Sequence, residues 1–263
     1  MCLRSETDVP FGTFGKVGIV RALVVGASAG VGRALCEALA QRGAALLLVA
    51  SDARDLDALS AHLRLVYRVE VQTVAADATR VAECVEQVGK AAATFGSIDS
   101  LYFPIGASQR DDCGLLGMEQ TSAILNTNLA VVIGLTTHFL PQLLTLRRAR
   151  IVGFGSIAAI RGRKTNVVYS AAKRGLESYF ESLRHLTTGT GLRVQFYQLG
   201  YVATQQSFGQ RLLFPIVPPQ QVAQEVLLNQ DKDMGKVFFP CYWTMIALAV
   251  SWLPWPIYKK MDF

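Results

Sequence analysis

The chain alternates short apolar runs with longer segments in which apolar side chains recur every three or four residues. The runs predict strands and the longer segments predict amphipathic helices. Strands that alternate with helices of this length are typical of a parallel sheet covered on both faces. The predicted strands are Ala22–Val25, Ala45–Ala50, Glu70–Ala75, Ser100–Phe103, Arg150–Gly155, Arg193–Leu199 and Lys236–Phe239. The predicted helices are Val31–Arg42, Arg54–Val66, Ala82–Phe95, Gly117–Leu144, Val167–Thr187 and Pro219–Leu228.

A glycine-rich turn follows the first predicted strand and precedes an amphipathic helix. Gly26, Gly30 and Gly32 lie in this turn, and Gly43 marks the predicted end of the helix. In a strand–turn–helix unit, glycines let the backbone approach the pyrophosphate of a dinucleotide at the helix N-terminus. Glycines also serve ordinary turns that need positive φ. The turn alone therefore leaves a cofactor loop and a plain turn both open.

A serine, a tyrosine and a lysine form the second chemical pattern. Tyr169 follows Ser156 by thirteen residues, and Lys173 follows Tyr169 by four. Residues four apart share a helix face, so Tyr169 and Lys173 are expected to point into one site. An ammonium group beside a phenol is expected to lower the phenol pKa, which would allow proton exchange with a substrate hydroxyl or carbonyl. Ser156 could hydrogen-bond the same oxygen, so the pattern predicts carbonyl/alcohol chemistry rather than a tyrosine packed in the core.

Composition and net charge limit the kinds of binding partner that are expected. The 263 residues suffice for one α/β domain, and only 17% of them are charged, with a mean hydropathy of +0.29. The formal net charge of +6 could be a basic surface of no special use, or could favour an anionic cofactor, substrate or membrane. No basic stripe with interleaved aromatic residues is present, so no nucleic-acid partner is expected.

Cysteine and histidine spacing argues against two kinds of site. The five cysteines include no CxxC pair, which is typical of buried free thiols in a reducing cytosol. The three histidines are isolated, so neither a metal site nor a Ser–His–Asp triad is expected. Residues 1–20 lack the continuous apolar core of a signal peptide and are predicted to be a loose extension. Residues 17–20 could add to an edge of the sheet.

Taken in chain order, these motifs resemble those of the short-chain dehydrogenase/reductase family over roughly residues 21–240. The resemblance implies an α/β fold with a doubly wound, Rossmann-type parallel sheet in a single domain. It also implies hydride transfer between a nicotinamide cofactor, NADP or NAD, and a ketone or secondary alcohol. Cofactor binding is then assigned to Gly26, Ser28, Gly30, Val31, Gly32, Ser51, Asp52, Asp77, Tyr169, Lys173, Val202 and Thr204.

The same resemblance implies a role for each catalytic residue. Tyr169 would protonate the nascent alkoxide during reduction, and Lys173 would lower the tyrosine pKa and hold the ribose. Ser156 would polarise the carbonyl, and Asn128 would support a proton relay through water. Asparagine also caps helices and turns, so a structural role for Asn128 stays open.

Two segments depart from the family pattern. Residues 103–106 read Phe-Pro-Ile-Gly where the family has Asn-Asn-Ala-Gly, and Leu199-Gly200 replaces Pro-Gly. The first change could alter the wall beside the cofactor or loosen a hydrogen bond between strands. Neither change removes a proton-transfer group, so a working enzyme is expected.

The choice between NADP and NAD depends on the residues after the second predicted strand. An acidic residue at the strand end would accept the ribose hydroxyls of NAD and repel a 2′-phosphate, and Asp52 lies about two positions past that place. Ser51 could hydrogen-bond a 2′-phosphate, and Arg54 is the nearest cation. NADPH is favoured for a reductive role.

A basic loop and an apolar C-terminus complete the pattern. Arg161, Arg163 and Lys164 could form a solvated loop or a clamp for an anionic substrate such as a phosphate. Residues 237–258 carry no charge, and their prolines limit the predicted helix to Trp243–Leu253, which is too short to span a bilayer. Tryptophans and a terminal lysine pair suit peripheral contact with a membrane interface. A helix packed on a partner subunit is the alternative.

The chain is accordingly divided into an N-terminal extension (1–20), a dinucleotide-binding catalytic domain (21–240) and an apolar C-terminal tail (241–263). The tail, the Tyr169 helix and the altered 103–106 segment are similar to those of the decaprenylphosphoryl-2-keto-ribose reductases. That similarity implies a keto-sugar on a polyprenyl-phosphate carrier and a cytoplasmic enzyme at the inner face of the membrane. The long predicted helices Gly117–Leu144 and Val167–Thr187 resemble those of the family's dimer interface, which implies a homodimer or homotetramer. The alternatives are a reductase of a free hydrophobic ketone (steroid, retinoid or acyl type) and a non-catalytic cofactor-sensing protein.

Overall fold

The computed structural model describes residues 19–204 and 214–261, which form a seven-stranded parallel sheet covered by helices on both faces. Neighbouring strands follow the order β3-β2-β1-β4-β5-β6-β7. The doubly wound α/β fold expected from the alternating pattern is therefore confirmed. The strands are β1 (Arg21–Val25), β2 (Ala45–Ala50), β3 (Val71–Ala75), β4 (Ser100–Phe103), β5 (Ala149–Ser156), β6 (Leu192–Leu199) and β7 (Lys236–Phe239).

Helices connect the strands at the places that the apolar periodicity predicts. Two short helices, α8 and α9, follow the last strand. The helices are α1 (Gly30–Gln41), α2 (Ala53–Tyr67), α3 (Val81–Phe95), α4 (Met118–Leu125), α5 (Val131–Thr145), α6 (Val167–Leu186), α7 (Pro219–Leu228), α8 (Trp243–Trp252) and α9 (Trp255–Tyr258).

One helix prediction is wrong in its detail. The segment predicted as a continuous helix over Gly117–Leu144 is divided by a π-helical turn, Asn126–Ala130, which joins α4 to α5. The amide of Val131 donates to the carbonyl of Asn126, five residues earlier. A π turn adds one residue to the helical repeat, and a single added residue leaves little trace in an apolar pattern. The turn buries Asn128.

Two hydrophobic cores lie on opposite faces of the sheet, and alternate residues of each central strand pack into one or the other. Along β2, Leu47 packs with α3, α5 and α6 on one face, whereas Leu46 and Leu48 pack with α1, α2 and α7 on the other. All three leucines are fully buried, and each contributes roughly 1.5–3 kcal/mol through burial. A sheet with both faces covered reads as a continuous apolar run, which is why the strands were visible in the sequence.

The strand order creates a crevice at one edge of the sheet. β1 pairs with β2 on one side and with β4 on the other. Helix α1, after β1, packs on one face of the sheet, and α5, after β4, packs on the opposite face. Such a switch point opens a crevice beyond the carboxyl ends of the strands, where ligands bind in sheets of this type.

Only the last two residues of the predicted N-terminal extension, Ile19 and Val20, are among the described residues. Residues 1–18 lie outside the described residues, and Ile19 and Val20 lead into β1. The carbonyl of Val20 accepts a hydrogen bond from the amide of Ala45 at 2.9 Å. Val20 therefore extends the pairing of β1 with β2 in the middle of the sheet rather than at an edge.

The cysteines within the described residues divide evenly between core and surface. Cys36 and Cys84 are buried, whereas Cys113 and Cys241 are exposed, and none of these four forms a disulfide. The expectation that most cysteines are buried is therefore wrong for two of these four.

Candidate active site

A cavity of about 380 Å³ lies at the carboxyl ends of the strands, in the crevice beside β1 and β4. Its walls come from the glycine-rich turn, the end of β4, the end of β5, the first turns of α6 and the segment after β6. Most of the residues predicted from the sequence to act in catalysis or cofactor binding meet here. Those that line the cavity are Gly26, Ser28, Gly30, Val31, Ser156, Tyr169, Lys173, Val202 and Thr204.

The glycine-rich turn leaves no room for side chains. A Cβ on Gly26 would lie 2.8 Å from the Ile105 Cα, and a Cβ on Gly32 would lie 1.9 Å from the Gly26 carbonyl oxygen. Gly26 and Gly30 have positive φ values of 89° and 52°, which glycine adopts without strain. The turn therefore places backbone without side chains at the N-terminus of α1, where the helix amides favour the binding of a phosphate.

Ser156 and Tyr169 meet although they lie on different elements. Ser156 is the last residue of β5, and Tyr169 lies in the first turn of α6. The Ser156 hydroxyl hydrogen-bonds the Tyr169 phenol, and its oxygen also accepts from the Ala158 amide at 3.2 Å. A serine and a tyrosine hydroxyl thus face the same end of the cavity.

The pKa of Tyr169 is opposite in direction to the sequence-based expectation. Burial of the phenol raises its pKa above the usual value, and this outweighs the lowering effects of the Ser156 hydrogen bond and the Arg163 charge. Lys173 lies near this ring, with its Nζ over the ring and 6.0 Å from the centroid. The net shift of the Tyr169 pKa is upward because burial is the largest influence, and stabilisation of the phenolate form by Lys173 stays a prediction. At neutral pH the phenol carries its proton.

Lys173 is held by backbone carbonyls. Its Nζ donates to the carbonyl oxygens of Ile105 and Phe154, each at 3.1 Å. The residue is only 3% exposed, and burial lowers its pKa to about 8. The Ile105 contact also gives a function to one of the segments that departs from the family pattern, because residues 104–106 form a cavity wall and receive the ammonium group.

Asn128 lies behind this wall rather than on it. Its side-chain amide donates to the carbonyls of Ala107 at 2.7 Å and Ile124 at 2.9 Å, and its oxygen accepts from the Ala107 amide at 3.3 Å. A Cβ on Gly106 would lie 3.3 Å from this oxygen and 3.4 Å from the Lys173 Nζ. Asn128 thus fastens the segment that Lys173 contacts, which is the structural role left open from the sequence; its part in a water relay stays a prediction.

The three acceptors predicted for the cofactor's ribose and adenine do not line the cavity. Ser51 is exposed at the end of β2. Asp52 caps α2 by accepting from the Asp55 amide at 3.1 Å. Asp77 accepts from the amide and hydroxyl of Thr79, and these two hydrogen bonds lower its pKa. All three lie just after the carboxyl ends of β2 or β3, on the same side of the sheet as the glycine-rich turn. Their assignment to cofactor binding stays a prediction.

Asp112 is a site residue that the sequence did not reveal. It is 1% exposed, and its two carboxylate oxygens accept from the amides of Val168 at 3.0 Å and Tyr169 at 2.9 Å. A carboxylate at a helix N-terminus satisfies free amides and complements the helix dipole. Asp112 therefore fixes the first turn of α6, and with it the backbone of Tyr169. No local signal links it to a helix more than fifty residues later.

The basic loop between Ser156 and Tyr169 divides its cations. Arg161 donates to the carbonyls of Val250 at 2.9 Å and Leu253 at 2.5 Å, and its guanidinium lies 4.0 Å from the centroid of the Tyr258 ring. The Tyr258 hydroxyl donates to the Gly162 carbonyl at 2.7 Å. Arg161 thus joins the loop to the C-terminal tail, whereas Arg163 lines the cavity.

The C-terminal tail contacts the site through its first tryptophan and presents apolar side chains elsewhere. A Cβ on Gly200 would lie 2.0 Å from the Trp243 Nε1, so the Leu199-Gly200 turn accommodates this indole. Met245, Trp252 and Trp255 are 71%, 84% and 63% exposed. Residues 205–213 lie outside the described residues. They include Gln205 and Gln206, which from the sequence could either bond a polar substrate or simply belong to a polar loop.

Among the described residues, one helical segment, Met118–Thr145, is long and apolar enough to cross a membrane by length and composition, and 44% of its apolar window is buried within the fold. Helix α8 is shorter, at ten residues. In residues 19–204 and 214–261, no three His, Cys, Asp or Glu side chains are grouped to hold a metal ion.

Known proteins are similar to this chain in sequence. The family model of the short chain dehydrogenases matches residues 20–211. The chain is 30% identical to an uncharacterized oxidoreductase of Myxococcus xanthus over 238 residues, which are 90% of this chain and 94% of that protein. It is 29% identical to the 3-oxoacyl-[acyl-carrier-protein] reductase of Escherichia coli over 186 residues, covering 71% of this chain and 75% of the relative.

Solved structures show the same fold. A 7beta-hydroxysteroid dehydrogenase structure superposes with a TM-score of 0.79 at 21% identity, covering 87% of this chain and 90% of the other. A short-chain dehydrogenase from Sphingobium yanoikuyae in complex with NADPH gives a TM-score of 0.76 at 23% identity, covering 93% and 97%.

Proposed function

Because this chain belongs to the short-chain dehydrogenase/reductase family of NAD(P)-dependent oxidoreductases, we propose that it reduces a ketone to a secondary alcohol with Tyr169 as the proton donor. One observation carries the proposal. The Ser156–Tyr169 hydroxyl pair and the buried Lys173 face a cavity that also contains the glycine-rich turn. A proton donor and a dinucleotide cradle thus share one crevice.

The residues fit a nicotinamide dinucleotide. Gly26 and Gly32 let the turn pack tightly on its own backbone and on that of Ile105, with Gly26 in the cavity lining, and the N-terminus of α1 offers amides to a pyrophosphate. Val202 and Thr204 line the same cavity and would hold the carboxamide. When bound, the cofactor supplies the hydride. NADPH is the cofactor that we propose for the reductive direction, since Asp52 caps α2 and lies beyond the place where an acid would select NAD.

The chain's own residues perform the proton transfer. Tyr169 keeps its proton at neutral pH because burial raises its pKa, so it can donate that proton to the alkoxide oxygen as it forms. Ser156 hydrogen-bonds the same oxygen and polarises the carbonyl. The Lys173 ammonium, held by the carbonyls of Ile105 and Phe154, stabilises the phenolate that remains. Asn128 would anchor the water that returns a proton.

For the substrate, we propose a keto-sugar carried on a polyprenyl phosphate. Two features support it together: Arg163 lines the cavity, and the exposed apolar side chains of the C-terminal tail lie on the segment that Arg161 ties to the same loop. A lipid carrier needs an apolar surface for its chain and a cation for its phosphate. The second candidate is a free hydrophobic ketone, which the apolar wall at Pro104 and Ile105 and the likeness to a hydroxysteroid dehydrogenase favour.

We further propose that the C-terminal tail rests on the inner face of a membrane, in the cytoplasm, and that the enzyme is a homodimer or homotetramer. Met245, Leu248, Trp252 and Trp255 present an exposed apolar surface, and lysines follow it at positions 259 and 260. Tryptophan beside lysine is the composition that suits a lipid interface. Packing of the same surface on a partner subunit is the competing outcome.

The enzymatic proposal is tested by NADPH oxidation with a ketone in wild type and Tyr169→Phe. Loss of the proton donor should lower kcat by about 10²–10⁴-fold, while cofactor affinity stays near wild type. Tyr67→Phe, on the remote helix α2, is the matched control and should keep full activity. A Tyr169→Phe enzyme as active as Tyr67→Phe would refute the proposal.

Vesicle flotation with anionic phospholipid tests the tail. Wild type should float, and a Trp252→Glu/Trp255→Glu variant that still binds cofactor should remain in the lower fraction. Leu65→Glu/Val66→Glu is the control, because these residues are also exposed and apolar but lie on α2. If neither wild type nor control floats, the tail belongs to a subunit contact and the free ketone becomes the better substrate class.

A further inference from the structure

Arg163 occupies a position that the proton-transfer mechanism does not use. It lies in the loop between β5 and α6 and lines the cavity together with Ser156, Asn166 and Tyr169. Its charge reaches the reacting end of the cavity, because it is one of the influences on the Tyr169 phenol. A permanent cation therefore faces the place where the carbonyl of a substrate must lie.

The guanidinium group of Arg163 is incompletely satisfied within the protein. Its Nε is buried and has no hydrogen-bond partner among the described residues, and in the same part of the chain no carboxylate forms an ion pair with it. A buried donor of a charged group is costly to leave unpaired. The Arg163 Nε is therefore available to donate a hydrogen bond to an acceptor in the cavity.

The other two cations of the loop, Arg161 and Lys164, have different surroundings from Arg163. The guanidinium of Arg161 bonds the carbonyls of Val250 and Leu253 and stacks on Tyr258. Lys164 is exposed and does not line the cavity. The three cations that the sequence groups as one basic loop are thus separated by the structure into a tail anchor, a surface charge and a cavity cation.

We propose that Arg163 binds an anionic oxygen group of the substrate, a phosphate ester, and so selects ketones that carry this group over neutral ketones. The guanidinium fork matches the oxygens of a phosphate and can donate two parallel hydrogen bonds to it. The inference rests on the proposed ketone reductase activity and narrows its substrate class. Arg163 is a specificity residue, whereas Tyr169 remains the proton donor.

Turnover of two matched ketones tests the selection. The probes are 4-acetylphenyl phosphate and 4-methoxyacetophenone, which share the reacting carbonyl and differ in the anionic group. Arg163→Gln should raise KM for the phosphate by about tenfold or more, equivalent to about 1.4 kcal/mol, and should change KM for the neutral ketone little. Arg163→Lys keeps the charge without the fork and should recover part of the loss. Lys164→Gln removes the same charge from the same loop and is the control.

A binding measurement separates this proposal from the enzymatic one. Phenyl phosphate is titrated calorimetrically into the NADPH-loaded full-length enzyme, which requires no turnover. Wild type should bind it and Arg163→Gln should bind it about tenfold more weakly, with unchanged affinity for NADPH. Equal binding by the two proteins, or a loss of NADPH affinity instead, would overturn the role of Arg163. Phosphate binding without reduction of either ketone would leave the anion site standing and remove the proposed activity.

Discussion

The carboxylate of Asp112 is expected to hold the catalytic helix, and Asp112→Asn tests this directly. Two backbone amides, those of Val168 and Tyr169, donate to its two oxygens. Asparagine keeps one acceptor oxygen but turns an NH₂ group toward the second amide, so one charge-assisted hydrogen bond is lost. The charge that complements the positive end of the α6 dipole is lost as well.

The size of the effect follows from these contacts. A hydrogen bond to a charged group contributes about 1.5–3 kcal/mol, and a charge at a partly buried helix end contributes up to about 2 kcal/mol. The neutral amide is less costly to bury, which offsets part of the loss. We therefore expect the free energy of unfolding to fall by about 2–3 kcal/mol. For a chain of this length, that corresponds to a decrease in Tm of roughly 4–12 °C.

Urea denaturation followed by circular dichroism measures the change, with Asp111→Asn as the matched control. Asp111 is adjacent but exposed, so its substitution should alter the free energy of unfolding by less than about 0.5 kcal/mol. Steady-state assays on the folded variant should show a lower kcat, because the backbone of Tyr169 is no longer fixed. If Asp112→Asn is as stable as Asp111→Asn, the carboxylate does not hold the helix and the reasoning fails.

Four further outcomes are expected. The pKa of Lys173 is lowered to about 8 by burial, so kcat/KM should fall above pH 8 as the ammonium is lost; a flat profile through pH 9 would argue against this. The unfolded chain binds more protons than the folded one between pH 8 and the ordinary lysine pKa of 10.5, so the Lys173 contribution to the free energy of unfolding should increase as pH rises through that window. Gly32→Ala should abolish NADPH binding measured by fluorescence titration, because its Cβ would lie 1.9 Å from the Gly26 carbonyl oxygen; affinity within twofold of wild type would contradict this. Arg161→Gln removes two hydrogen bonds and the contact with Tyr258, so limited proteolysis should cut the C-terminal tail faster while the rest of the chain persists; unchanged cleavage would show that the tail is held by other contacts.

The sequence determined the fold and the core of the site because both are encoded locally. A buried parallel strand must be apolar along its whole length, and a helix against a sheet must repeat its apolar residues. The spacing of Tyr169 and Lys173 fixes their common helix face. The glycines of the turn are required wherever the backbone approaches itself as closely as Gly32 approaches Gly26. Each of these signals is contained within a short stretch of the chain.

Tertiary structure alone decided the features that depend on distant residues and on burial. Asp112 caps α6 across more than fifty residues, and no local pattern encodes such a contact. Likewise, only the packed tail separates Arg161 from Arg163, since the carbonyls that engage Arg161 come from α8 and its end. The pKa of Tyr169 rises because desolvation outweighs the nearby hydrogen bond and charge. A spacing in the sequence identifies neighbours, but the sign of a pKa shift depends on how completely the fold removes water from the group.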